Sequence, residues 1–108
     1  MKSHFSSLVV AFVLLAVGVV AQAAPPKITY SGGDGSSFEK AVAIHGATEQ
    51  TGVDAEYDYL ARHFPGYHQG KQSLRSHEKH RYDVLEFTTA NGATMTMYFD
   101  ITEFFGKF

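Results

Sequence analysis

Residues 8–20 (LVVAFVLLAVGVV) carry no charge and run directly into Ala21-Gln22-Ala23, which confines the folding part of the chain to the residues beyond that triplet. A polar start with one fixed positive charge, Lys2, precedes the apolar run. Charged start, apolar middle and small-residue A-x-A exit form the pattern of a cleavable secretory signal peptide. The uncharged run is 13 residues long, whereas a membrane-spanning helix needs about 20. No positively charged stop comes after it, and no cysteine stands near the triplet to carry a lipid. The sequence therefore predicts a signal peptide over residues 1–23 and a single small domain over residues 24–108, in the periplasm or secreted.

That domain has 85 residues and no cysteine, although an exported compartment permits disulfides. It sits near the lower end of what one core can stabilise, so packing, a metal or a partner must hold it. Thirteen Phe and Tyr residues supply packing area. Its formal charge is 8 basic minus 11 acidic residues, or −3. That balance argues against a nucleic-acid binder, which shows a basic face. No polybasic segment offers itself to anionic lipid. Aromatic and aliphatic residues recur throughout, unlike in a disordered chain.

Ala24-Pro25-Pro26-Lys27 is an extended lead-in, and Ile28-Thr29-Tyr30 begins a strand. Residues 31–37 (SGGDGSS) are a loop. Ser36 and Glu39 have capping-box spacing, which predicts a short helical turn over residues 37–41. Val42-Ala43-Ile44 is then a brief strand ending near Gly46. The clearest element is a helix over residues 49–64. Val53, Tyr57, Leu60, Ala61 and Phe64 form one stripe at helical period. Glu49, Asp54, Glu56 and Asp58 come early and Arg62 and His63 late, as the helix dipole favours. Pro65-Gly66 ends the helix.

Residues 72–76 predict a strand with Leu74 facing inward, and residues 77–81 (HEKHR) a turn. The last element is a hairpin, residues 82–89 and 93–101 around Asn91-Gly92. A two-residue loop would set Asp83 opposite Asp100 and Glu86 opposite Met97, and like charges directly opposite are unfavourable. A three-residue loop with Gly92 left-handed shifts the pairing by one. Leu85 then meets Met97 and Phe87 meets Met95 on one face, with Thr88–Thr94 and Glu86–Thr96 on the other. This register separates apolar from polar residues and is the one expected. At least two of Phe104, Phe105 and Phe108 should pack onto the core. The fold class is α+β, one main helix packed on a small antiparallel sheet with a C-terminal β-hairpin. Its inward residues should include Val53, Tyr57, Leu60, Phe64, Leu85, Phe87, Met95, Met97 and Phe99.

His77 and His80 are the candidate metal ligands. The helical zinc motif spaces its histidines four apart, however, and these are three apart in a turn, where a solvated loop is the plainer account. The glycine-rich loop lacks the Lys-Ser or Lys-Thr pair of a phosphate loop, and only Asp34 could serve calcium there. Asp83 and Asp100 could approach each other at the open end of the hairpin as a carboxylate pair. No G-x-S-x-G elbow supports serine catalysis, and cysteine catalysis is impossible. Tyr59, Tyr67 and Tyr98 are candidate interaction residues, since Tyr joins an apolar ring to a hydrogen-bonding tip.

Gly32-Gly33-Asp34-Gly35-Ser36-Ser37-Phe38-Glu39-Lys40-Ala41-Val42, Ala55-Glu56-Tyr57 with Pro65-Gly66, Tyr82-Asp83-Val84, and Tyr98-Phe99-Asp100-Ile101 with Phe104-Phe105-Gly106-Lys107 resemble a family of small uncharacterised exported bacterial proteins. The resemblance covers nearly the whole mature chain and implies no activity. Residues 48–101 are more loosely similar to PepSY-like periplasmic domains, with a helix before strands and an aromatic–acidic hairpin end at Tyr98-Phe99-Asp100. Residues 32–44 depart from that pattern. This similarity implies an interaction or inhibitory module.

The expected function is thus an exported, non-enzymatic protein-interaction or inhibitory module without a cofactor. Its partner would be another periplasmic or secreted protein, not nucleic acid, and not a membrane once the signal is cleaved. The sequence sets no oligomeric state. Two alternatives stand beside it: a His-based metal-binding protein, and a small hydrolase with a carboxylate pair.

Overall fold

Thr48 starts the helix through its side chain. In the computed structural model, which describes residues 27–108, helix α1 spans Glu49–His63. The Thr51 N–H donates to Thr48 Oγ1 at 3.4 Å and the Thr48 N–H donates to Thr51 Oγ1 at 2.9 Å. This is a capping box with threonine in the place usually held by Glu or Gln. At the other end the Phe64 N–H donates to Leu60 O at 2.8 Å, and Gly66 takes the left-handed backbone (φ 81°) that the turn requires. The expected signal peptide and residues 24–26 lie outside the described residues. Among those described, no helix is long and apolar enough to cross a membrane.

The expected helix bounds hold to within a residue, but its buried face is rotated. Gly52, Ala55, Glu56 and Leu60 are buried, Val53, Tyr57, Tyr59 and Phe64 are half-buried, and Ala61 is exposed. Two small residues decide this. A Cβ on Gly52 would lie 2.3 Å from the Phe104 ring, so only a bare backbone lets Phe104 lie beneath the helix. The stripe of large apolar residues flanks the contact face and does not define it.

Five strands form one sheet: β1 (Thr29–Gly32), β2 (Val42–His45), β3 (His68–His77), β4 (His80–Thr88) and β5 (Thr94–Asp100). Their order is β1-β2-β5-β4-β3. With α1 this is an α+β fold. Three pairings are antiparallel, but β2 pairs with β5 in parallel, so the sheet is mixed and not wholly antiparallel as expected. A parallel pair needs a long crossover, and α1 with the β3–β4 hairpin supplies it.

The β4–β5 register is the one that segregation of side chains predicts. Leu85 faces Met97, Phe87 faces Met95, Glu86 faces Thr96 and Thr88 faces Thr94. The Thr89 N–H donates to Ala93 O at 2.8 Å, the Gly92 N–H donates to Thr89 O at 2.9 Å, and Gly92 is left-handed (φ 92°). β3 and β4 meet in a two-residue turn with positive φ at Glu78 (48°) and Lys79 (69°), which places His77 opposite His80.

The core lies between α1 and strands β2, β5 and β4. It joins Leu60 and Ala55 to Val42, Ile44, Leu85, Phe87, Met97, Phe99, Ile101 and Phe104. Strand β3 contributes nothing to it, and Leu74 is 49% exposed, not inward as expected. The loop after β1 covers part of the opposite sheet face. The Tyr98 N–H donates to Gly35 O at 2.8 Å, and Phe38 lies edge-on to Tyr82 and Tyr98, both at 4.9 Å. The expected Ser36–Glu39 box and helical turn do not form. Asp34 Oδ1 accepts from the Ser36 N–H at 3.1 Å and Ser37 Oγ from the Lys40 N–H at 3.1 Å, which makes a plain turn. Phe104 is fully buried, Phe105 packs at 4.1 Å under the Arg81 guanidinium, and Phe108 is 94% exposed.

Candidate functional site

The pairing registers put Ser31, Ala43, His45, Tyr98, Asp100, Tyr82, His80, His77 and Arg75 on the sheet face away from α1. On this face three histidines contact carboxylates, His77 two of them, since its Nε2 also lies 3.9 Å from Glu78 Oε2. His45 Nδ1 lies 3.1 Å from Glu103 Oε1, His80 Nδ1 2.8 Å from Asp100 Oδ2, and His77 Nε2 3.5 Å from Glu39 Oε2. Burial works to raise the Asp100 carboxyl, but hydrogen bonds from the Thr102 hydroxyl and N–H and from His80 outweigh it and hold Asp100 below the usual range. The Gly46 N–H, and then His45, hold Glu103 low in the same way. Both carboxyls are anions near neutral pH and can only accept hydrogen bonds.

His45 makes a second contact. Its Nε2 lies 2.7 Å from Ser31 Oγ. Serine, histidine and glutamate thus come one after another across β1, β2 and the turn after β5. Nothing local in the sequence announces this, because the partners are 14 and 58 residues apart.

The sequence-expected residues have other occupations. His77 and His80 are brought opposite each other, but the His77 ring stacks on Phe38 at 4.3 Å and His80 binds Asp100. Among the described residues, no three His, Asp or Glu side chains converge as a metal-ligand set. Asp83 and Asp100 do not form a pair. Asp83 faces Phe99 while Asp100 faces Tyr82, so they project from opposite faces of the sheet. Tyr59 stacks on His63 at 3.8 Å and meets Phe99 edge-on at 5.5 Å. Tyr67 meets Phe87 at 6.1 Å and Tyr98 meets Phe38 at 4.9 Å. All three rings are half-buried and spend much of their area on packing.

Asp83 instead meets Glu56, which is fully buried on α1. Burial, and then Asp83, push the Glu56 carboxyl up to about 11, so it is neutral at pH 7. Neither Glu56 carboxyl oxygen has a hydrogen-bond partner in the structure, so the charged form would be buried without compensation and the protonated form is the one that burial tolerates. The sequence held a trace of this residue. Positions 52, 55, 56, 59 and 60 also have helical spacing once small residues count as contact residues.

The third feature is the edge strand β3 (HQGKQSLRSH). Of its ten residues none is buried and none is acidic, while Lys71 and Arg75 are basic. Tyr57 Oη donates to Gln72 Oε1 at 2.9 Å and ties this strand to α1. No family model matches the chain, and comparison with curated proteins and with solved structures found no similar chain.

Proposed function

We propose that the chain is an exported binding module, and that β3 captures an extended acidic segment of another exported protein as a sixth strand. The observation that carries this reading is the composition and position of β3. It is a ten-residue edge strand without a buried or an acidic residue, in a chain of net charge −2. In the antiparallel ladder closed by His77 and His80, alternate residues bond to β4, and Gln72, Leu74 and Ser76 aim their backbone groups outward. Strand addition takes its affinity from such groups and its specificity from alternate side chains. Leu74 offers the apolar contact, Lys71 and Arg75 the charge. Those same cations, with the register shift between Gln69 and Gln72, oppose pairing of β3 with a second copy. That favours an acidic partner.

The test is selection of displayed peptides on the mature chain. Enriched sequences should alternate apolar with acidic residues and should bind less well as salt rises. Ser76→Pro removes one outward N–H without touching the β4 ladder and should weaken binding about two- to tenfold, the worth of one hydrogen bond. Leu74→Lys should weaken it as well. No enrichment, or peptides that bind both variants as they bind the wild type, would exclude β3 as the docking edge.

A further inference from the structure

The contact between Ser31 and His45 lies at the opposite edge of the sheet from β3 and is independent of strand capture. Glu103 fixes the state of the imidazole. Its Oε2 accepts from the Gly46 N–H at 2.8 Å and its Oε1 faces His45 Nδ1 at 3.1 Å. An anionic carboxylate can only accept, so in the neutral imidazole Nδ1 carries the proton and Nε2 carries the lone pair. With the imidazole in that tautomer, the 2.7 Å contact is Ser31 Oγ–H donating to Nε2. That is the ground-state arrangement of a nucleophile, its base and the group that orients the base, which is recognised by geometry and not by sequence position. Among the described residues, no other histidine bridges a hydroxyl and a carboxylate.

The Ser31, His45 and Glu103 side chains lie together at the solvent-exposed β1 edge, on the sheet face away from α1, where an ester carbonyl can approach Ser31 Oγ from solvent.

We infer that Ser31 is a nucleophile for small carboxylic esters, with His45 as its general base and Glu103 as the positioning residue. Ser31 Oγ bonds to the ester carbonyl carbon while its proton passes to His45 Nε2. Collapse breaks the bond to the alkoxy oxygen, which leaves with the proton from Nε2, and the acyl group stays on Ser31. Water then attacks the acyl carbon and gives its proton to His45. The acid departs and the Ser31 hydroxyl is restored.

A fluorophosphonate probe, which labels activated serines, tests the site on the mature chain. Ser31 should be labelled in preference to the other serines, as peptide mass mapping would show. His45→Gln should slow labelling about a hundred- to ten-thousandfold, the contribution of general-base assistance. Ser31→Ala should lose the label and the p-nitrophenolate burst from p-nitrophenyl acetate, whereas His80→Gln should keep both. In Glu103→Gln the amide can donate to Nδ1 and move the imidazole proton to Nε2. Labelling should then fall and its pH profile should shift, and Glu103→Asp should restore it in part. Absence of labelling, labelling spread equally over the serines, or undiminished labelling of Ser31 in His45→Gln would each overturn the proposal.

Discussion

Glu56 on α1 and Asp83 on β4 face each other across the helix–sheet interface, where burial, and then the neighbouring Asp83, keep the Glu56 carboxyl protonated. Glu56 is fully buried and protonated near neutral pH. Between its ordinary value of 4.5 and about 11, the folded chain keeps a proton that the unfolded chain has released. Stability from this group is complete below the unfolded value and falls as pH rises through that window, by at most about 1.4 kcal/mol per unit. Urea melts at about pH 5 and about pH 9 should show this loss in the wild type and a flatter profile in Glu56→Gln. A Gln variant as pH-sensitive as the parent would sink the assignment.

Asp100 acts at the other end of the pH scale. Its folded value lies below the ordinary 3.8, with Thr102 and His80 as the lowering partners. The stability it contributes is present above the unfolded value and is lost as pH falls through the folded one. Asp100→Asn should remove that part of the acid transition and leave the alkaline slope from Glu56 unchanged. Acid titration of the melting temperature checks both.

Gly52 is where the helix touches Phe104. Alanine is the better helix former by about 1 kcal/mol, but here its Cβ would enter the aromatic ring. Gly52→Ala should therefore destabilise by about 1–3 kcal/mol, the cost of overpacking. Phe104→Ala should cost about 3–5 kcal/mol through the cavity it leaves. Chemical denaturation measures both, and a stabilised Gly52→Ala would show that the ring moves aside freely.

The turn between β3 and β4 carries strain at Glu78 and Lys79, both in the left-handed region without being glycine. Each such residue costs roughly 1–2 kcal/mol. Glu78→Asn combined with Lys79→Gly supplies the residues this turn geometry prefers and should stabilise by about 1 kcal/mol or more. A lower melting temperature in the double variant would count against the turn assignment.

The hairpin register was legible because it is a local problem. A one-residue slip sends every side chain to the other face, and only one loop length sorts Leu85, Phe87, Met95 and Met97 from Glu86, Thr88, Thr94 and Thr96. The helix was legible through its cap, its charge order and Pro65-Gly66. Its orientation was not. A carboxylate in the middle of a helix reads as solvated, and burial of Glu56 depends on Asp83 and on desolvation that changes its charge. Leu74 likewise reads as an inward strand residue, since nothing near it in sequence shows that it is left uncovered at the sheet edge.

By itself the sequence determined the α+β class, the extent of the helix and the pairing of the last two strands, because each arises from periodicity, capping or turn chemistry within a few residues. The tertiary structure alone decided the parallel contact of β2 with β5, the neutral carboxyl of Glu56 and the alignment of Ser31, His45 and Glu103. Those depend on side chains that the chain path brings together from distant positions, where hydrogen bonds and desolvation act through space and leave no mark on local spacing.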